Sequence, residues 1–155
     1  MQSPDITSWS VSSLARALAR GTLSATEIMA AHVARINELN PSINAVVQLA
    51  SKRGLEEARI LDANSSIPSH SSRRGLPFTV KDNFETQGIV TAIGMTERKG
   101  VVPSHDAELV RHVRSLGAIL LGKTNCPPGG GGLFTDNDVY GRTNNPTPVS
   151  HAGGK

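Results

Sequence analysis

At 155 residues the chain corresponds to about one domain. Hydrophobic residues make up 37% and charged residues 19%, and the 15 glycines are clustered without a period, which excludes a disordered tail and a collagen-like fibre. The net charge of +3 lies in short, scattered basic pairs and the chain has only five aromatics, so no nucleic-acid partner is expected.

The apolar runs are too short to cross a bilayer, and no basic region followed by an apolar block opens the chain, so neither a membrane partner nor a secretory leader is expected. One cysteine permits no internal disulfide, which fits a reducing, cytoplasmic location.

The first sixty-odd residues read as helical. Ser12 or Ser13 is expected to cap a short helix over Leu14–Arg20, stopped by Gly21 just past its end. Ser24-Ala25-Thr26-Glu27 is an S-x-x-E capping box, and behind it Ile28, Met29, Val33, Ile36 and Leu39 fall on one helical face. Asn40-Pro41 is expected to end this helix, because proline cannot continue it and restricts the residue before it. Residues 43–49 are apolar and partly β-branched and read as a strand, and residues 52–61 read as a third helix. Residues 65–74 are a linker of turn formers without periodicity.

Beyond the linker the texture changes. Residues 76–80 read as a strand, with Lys81-Asp82-Asn83 at its end. Asp106 is expected to open a helix with Leu109, Val110, Val113 and Leu116 as its buried stripe, ended by Gly117. Ala118 to Leu121 is a short apolar strand, and strand, helix, strand predicts a parallel pair in an α/β fold. Residues 126–132, Cys-Pro-Pro-Gly-Gly-Gly-Gly, suit neither a helix nor a regular strand.

Several motifs bear on function. Gly117 to Thr124 matches G-x-x-x-x-G-K-[ST] letter for letter, but its four central residues, Ala-Ile-Leu-Leu, favour burial in a sheet, and Asn125-Cys126-Pro127-Pro128 cannot start the helix that a phosphate loop needs. Cys126 lacks a sequence-evident base and reads as a packing residue. The five histidines have no metal-ligand spacing, so no metal is expected, and His32 and His112 read as ordinary surface or boundary residues. Lys81 stands apart. At the C-terminal edge of a parallel strand it lies where α/β proteins build sites, and it shares a strand face with Thr79 and Asn83. Buried there, its amine would be desolvated and available as a base; the plain alternative is a surface lysine at a strand end.

Gly75-Leu-Pro-Phe-Thr-Val-Lys-Asp-Asn83 resembles the amidase signature family. The resemblance extends through Asp106-Ala107 and its helix, through Gly117–Asn125 as a strand and turn, and through Asn137-Asp-Val-Tyr-Gly-Arg-Thr-Asn-Asn-Pro146. The Leu-Ser-Ala-Thr-Glu-Ile helix and Asn40-Pro-Ser-Ile-Asn-Ala45 are also similar to family members, so about residues 8 to 146 are covered.

The resemblance implies an N-terminal portion of the amidase signature fold, a mixed sheet with covering helices, incomplete in itself. It would comprise a mainly helical region (1–64), the linker (65–74), part of an α/β core (75–146) and a divergent tail (147–155). It implies hydrolysis of linear carboxylic amides by a Ser–cis-Ser–Lys triad without a cofactor, with Lys81 as the triad lysine and Gly130, Gly131 and Gly132 near the substrate.

The family continues into Gly-Gly-Ser-Ser-Gly-Gly, whereas Gly153-Gly154 is followed here by Lys155, and Ser150 does not fall in that register. Both triad serines are therefore expected to be missing, and the chain alone to be inactive on the small amide substrate of a full-length parent. Two other readings follow: a non-catalytic module that self-associates or pairs with a complementing fragment, and a truncated subunit of an aminoacyl-tRNA amidotransferase.

Overall fold

The computed structural model describes residues 5–64 and 73–147. The expected linker therefore lies outside the described residues over 65–72, as does the expected tail over 148–155, including Ser150, Gly153, Gly154 and Lys155. Helix α1 spans Val11–Ala19, and its cap is Ser10 rather than Ser12 or Ser13. Ser10 Oγ accepts from the Ser13 amide at 3.2 Å, which satisfies one of the free N–H groups of the first turn.

Helix α2, Ala25–Ile43, begins with the expected capping box: the Ser24 amide donates to Glu27 Oε2 at 2.8 Å and the Glu27 amide donates to Ser24 Oγ at 3.1 Å. A second cap comes from a distant residue. Asp62 accepts from the Ala25 and Thr26 amides at 2.9 and 3.0 Å, so a carboxylate sits on the positive end of the helix.

Proline 41 does not end α2, contrary to the sequence expectation; it lies within the last turn. Its missing N–H removes one rung, but the turn closes around it. The Asn44 amide donates to the Asn40 carbonyl at 2.7 Å, and Asn40 Oδ1 accepts from the amides of Ala45 and Val46. Asn44 then leaves the helix in the left-handed conformation (φ 54°). Strand β1 is consequently shorter than expected, Val46–Leu49. Helix α3 spans Ser51–Ala63, strand β2 Pro77–Lys81, helix α4 Glu108–Ser115 and strand β3 Ile119–Thr124.

The sheet order is β1-β3-β2, with β3 antiparallel to β1 and parallel to β2. A mixed α/β sheet with covering helices is thus observed. β3 is central and buried along almost its whole length. Successive residues of β3 feed opposite faces: Ile119 and Leu121 pack with Met29 and Ala58 of α2 and α3, while Leu120 packs with Val110 of α4 and Val80 of β2. Leu14, Ile28 and Leu76 seal α1 against α2 and the start of β2. Of the expected stripe on α4, Val110 is fully buried, whereas Leu109 is 53% exposed. The helix is short and only one residue points straight at the sheet, so the neighbouring position turns outward.

Within the phosphate-loop-like octet, Ile119–Thr124 forms strand β3, as its apolar centre predicts. Gly122 is there for a steric reason: a Cβ would come within 2.6 Å of the Gln48 carbonyl on β1, so only glycine allows the two backbones to meet.

Candidate active site at the ends of β2 and β3

The parallel strands β2 and β3 end side by side, with Lys81 paired to Thr124. The Asp82 amide extends the ladder by donating to the Thr124 carbonyl at 2.9 Å, and the chain then turns at Lys81–Phe84. Lys81 is half-buried, between the buried amine and the surface lysine that the sequence leaves open, and its Nζ donates to the Gly130 carbonyl at 3.1 Å. Gly130 lies in the Pro128–Gly130 turn that follows β3, with Gly129 and Gly130 both left-handed (φ 66° and 79°), and Gly131 and Gly132 are exposed beyond it. Asn83 lies beside this turn, since a Cβ on Gly130 would lie 3.4 Å from that of Asn83.

The fully buried lysine is Lys123, the lysine of the phosphate-loop-like octet. Its Nζ lies 3.0 Å from Asp82 Oδ1, and both side chains are 0% exposed. Thr91 Oγ1 and the carbonyls of Asp82 and Val90 complete its oxygen shell. Burial lowers the pKa of this amine, and the Asp82 carboxylate opposes that shift. Sequence reasoning passed over this pair. The available signal was a lysine inside an apolar strand, which needs a buried partner, together with an aspartate directly after the other strand's terminal lysine.

Buried asparagines hold the loops around the site. Asn125 Oδ1 accepts from the Cys126 amide at 3.0 Å and from Asn137 Nδ2 at 2.8 Å, and its Nδ2 donates to the Gly141 carbonyl at 3.0 Å. Asn137 Oδ1 in turn accepts from the amides of Val139 and Tyr140. Asn44 at the end of α2 donates to the Tyr140 carbonyl at 2.7 Å. The Asn137–Pro146 stretch is therefore tied to the α2–β1 junction by side-chain amides standing in for backbone pairing.

Cys126 is fully buried, and burial, seconded by the Asp82 carboxylate, pushes its thiol above the ordinary value. It is a packing residue. Because the folded chain keeps the thiol proton where the unfolded chain has lost it, stability contributed by this group is present below about pH 9.0 and falls as pH rises beyond it. Urea midpoints of the wild type are expected to fall relative to Cys126→Ala above that pH. The native thiol is also expected to react with a disulfide reagent at least about tenfold more slowly than the denatured one. Among the described residues, no group of three or more His, Cys, Asp or Glu side chains converges as a metal site would require, and no helix is long and apolar enough to cross a membrane.

A lysine at the mouth of a parallel strand pair, facing a glycine turn on a mixed α/β sheet, is a candidate for the kind of site that α/β proteins build at their strand ends. The chain belongs to the amidase signature family: the family's Amidase model matches residues 27–154. It is 34% identical over 151 residues to a glutamyl-tRNA(Gln) amidotransferase subunit of Salinispora arenicola, covering 97% of this chain and 31% of that protein. It is 35% identical over 150 residues to an acylamidase of Rhodococcus erythropolis, covering 94% of this chain and 31% of that protein. The fold is similar to the peptide amidase of Stenotrophomonas maltophilia, with a TM-score of 0.82 and 29% identity over 91% of this chain and 30% of that one. The chain thus spans about a third of the length of these relatives.

Proposed function

We propose that these 155 residues supply the lysine-bearing part of an amidase that hydrolyses linear carboxylic amides. In this reading Lys81, as a neutral amine, receives a proton through a bridging serine as the nucleophilic serine attacks the amide carbonyl, and it returns that proton toward the leaving amine. Gly130 to Gly132 lie on the substrate side of Lys81. The observation that carries the reading is the placement of Lys81 at the paired strand ends of a chain that belongs to this family. The names of the acylamidase and peptide amidase relatives point to the same substrate class.

Both serines would come from a Gly-Gly-Ser-Ser-Gly-Gly segment and a later loop that the 155 residues do not include, so the chain by itself is proposed to be inactive. A second copy of the chain or a complementing fragment is the partner this reading proposes. Leu133 and Phe134, on the loop that carries Gly130, are 96% and 78% exposed and would be covered by it. The division into a helical region to residue 64, a linker to 74, an α/β part to 146 and a tail, and a cytoplasmic location, belong to the same proposal. The likeness to the amidotransferase protein supports a second reading, in which the chain is part of an aminoacyl-tRNA amidotransferase subunit and the partners are the other subunits of such a complex.

Ammonia release from simple aryl amides tests the proposal. The purified chain alone is expected to release none. Adding a polypeptide that carries the remaining family segments is expected to restore turnover, which Lys81→Ala reduces at least about a thousandfold. Turnover by the chain alone, or restored turnover that survives Lys81→Ala, would overturn it. Pull-down of amidotransferase subunits by the chain would select the second reading.

A further inference from the structure

Lys81 is not oriented by its strand alone. A ring of contacts leaves residue 82 and returns to residue 81. Asp82 Oδ2 accepts from the Ile93 amide at 2.8 Å, the Ile93 carbonyl accepts from the Gly129 amide at 2.9 Å, and the carbonyl of the next residue, Gly130, accepts from Lys81 Nζ at 3.1 Å. The peptide bond between Lys81 and Asp82 closes the ring.

Two features show that the middle of the ring is held under constraint. Ile93 is a β-branched residue in the left-handed region (φ 55°), a conformation such side chains avoid. Its neighbour Gly94 is pressed so close to the 126–130 segment that a Cβ would lie 2.9 Å from the Cys126 carbonyl. The Asp82 carboxylate that holds this turn is itself fixed from the adjacent strand by Lys123 at 3.0 Å.

We propose that Asp82 is a positioning residue for Lys81. Its carboxylate, neutralised by Lys123, fixes the Ala92–Met95 turn. That turn carries the Pro128–Gly130 turn, and the Gly130 carbonyl sets the direction of the Lys81 amine. When the amine is neutral, one N–H given to Gly130 directs its lone pair away from that carbonyl, as a proton acceptor requires. This last consequence rests on the role proposed for Lys81 above; the geometric coupling does not.

Two double variants of the chain isolate the link. Asp82→Leu/Lys123→Met removes both buried charges and the acceptor for the Ile93 amide. Asp82→Asn/Lys123→Met removes the charges but keeps an oxygen for that amide. The readout is the rate of acylation of each lysine by an amine-selective reagent, followed by mass spectrometry, with Lys52 and Lys99 as exposed references, and the rate at which a thiol-selective reagent modifies the buried Cys126 in parallel reports general opening.

The leucine variant is expected to label Lys81 about two- to tenfold faster than wild type, the range of one lost hydrogen bond. The asparagine variant should label it at the wild-type rate, with Cys126 unchanged in both. Equal Lys81 rates in all three proteins, or a rise that merely tracks Cys126, would overturn the proposal. So would a wild-type chain whose Cys126 reacts as though unfolded.

If the leucine variant does not fold, hydrogen exchange in the wild type decides. Comparable protection of the Ile93 and Gly129 amides supports the ring, and a Gly129 amide that exchanges as fast as that of exposed Gly131 overturns it. Labelling reads position and not turnover, so failure here and failure of the amide assay are separate results.

Discussion

Lys123→Met is expected to lower the unfolding free energy by about 3–5 kcal/mol, the cost of breaking a buried ion pair from one side. The reason is the carboxylate left behind. Asp82 is 0% exposed, and without the ammonium 3.0 Å away its charge has neither water nor a countercharge. Replacing both partners while keeping an oxygen for the Ile93 amide removes the cause, so Asp82→Asn/Lys123→Met is expected to recover most of that loss. Denaturant unfolding followed by circular dichroism measures both. Recovery near zero would mean that Lys123 stabilises the chain by something other than its charge.

The pair also has a pH signature. Burial lowers the pKa of the folded amine below the ordinary 10.5, so between the folded value and 10.5 the unfolded chain binds more protons than the folded one. Stability of the wild type relative to Lys123→Met is therefore expected to rise with pH across that window.

Leu120→Ala is expected to cost about 2–5 kcal/mol, the range for opening a cavity in a packed core. Leu120 is 2% exposed at the centre of the cluster that joins β2, β3 and α4, against Val80 and Val110, with Phe78, Phe84 and Ile89 at its margin. Val80 immediately precedes Lys81, so the same cavity loosens the strand end that carries the candidate site. Leu109→Ala, one residue from Val110 but 53% exposed, is expected to shift stability by less than about 0.5 kcal/mol. The contrast separates the core position from the outward one on a helix whose sequence pattern assigns both to the same stripe.

Local chemistry was legible wherever a residue's role depends on its near neighbours. The Ser24–Glu27 capping box, the strand character of Ala-Ile-Leu-Leu and the unsuitability of the 126–132 stretch for regular structure all follow from contacts within a few residues. The parallel pairing of β2 and β3 was legible too, because a helix between two apolar strands leaves little other topology. Proline 41 misled for the same local reason. A proline is a stop signal to its neighbours, and only the Asn40 and Asn44 amides, folded back over the turn, show why the helix passes through it.

What only the tertiary structure decided concerns residues whose partners lie far along the chain. Lys123 meets Asp82 across 41 positions, Asn44 meets Tyr140 across 96, and Lys81 meets Gly130 across 49. A buried charge or amide declares that it needs a partner but not which one, since that choice is made by the register of the sheet and the path of the loops. The sequence by itself determined the elements, the α/β class and the lysine at the strand end. The fold decided that the buried cation is Lys123, that the half-buried Lys81 faces a glycine carbonyl, and that the two are linked through Asp82.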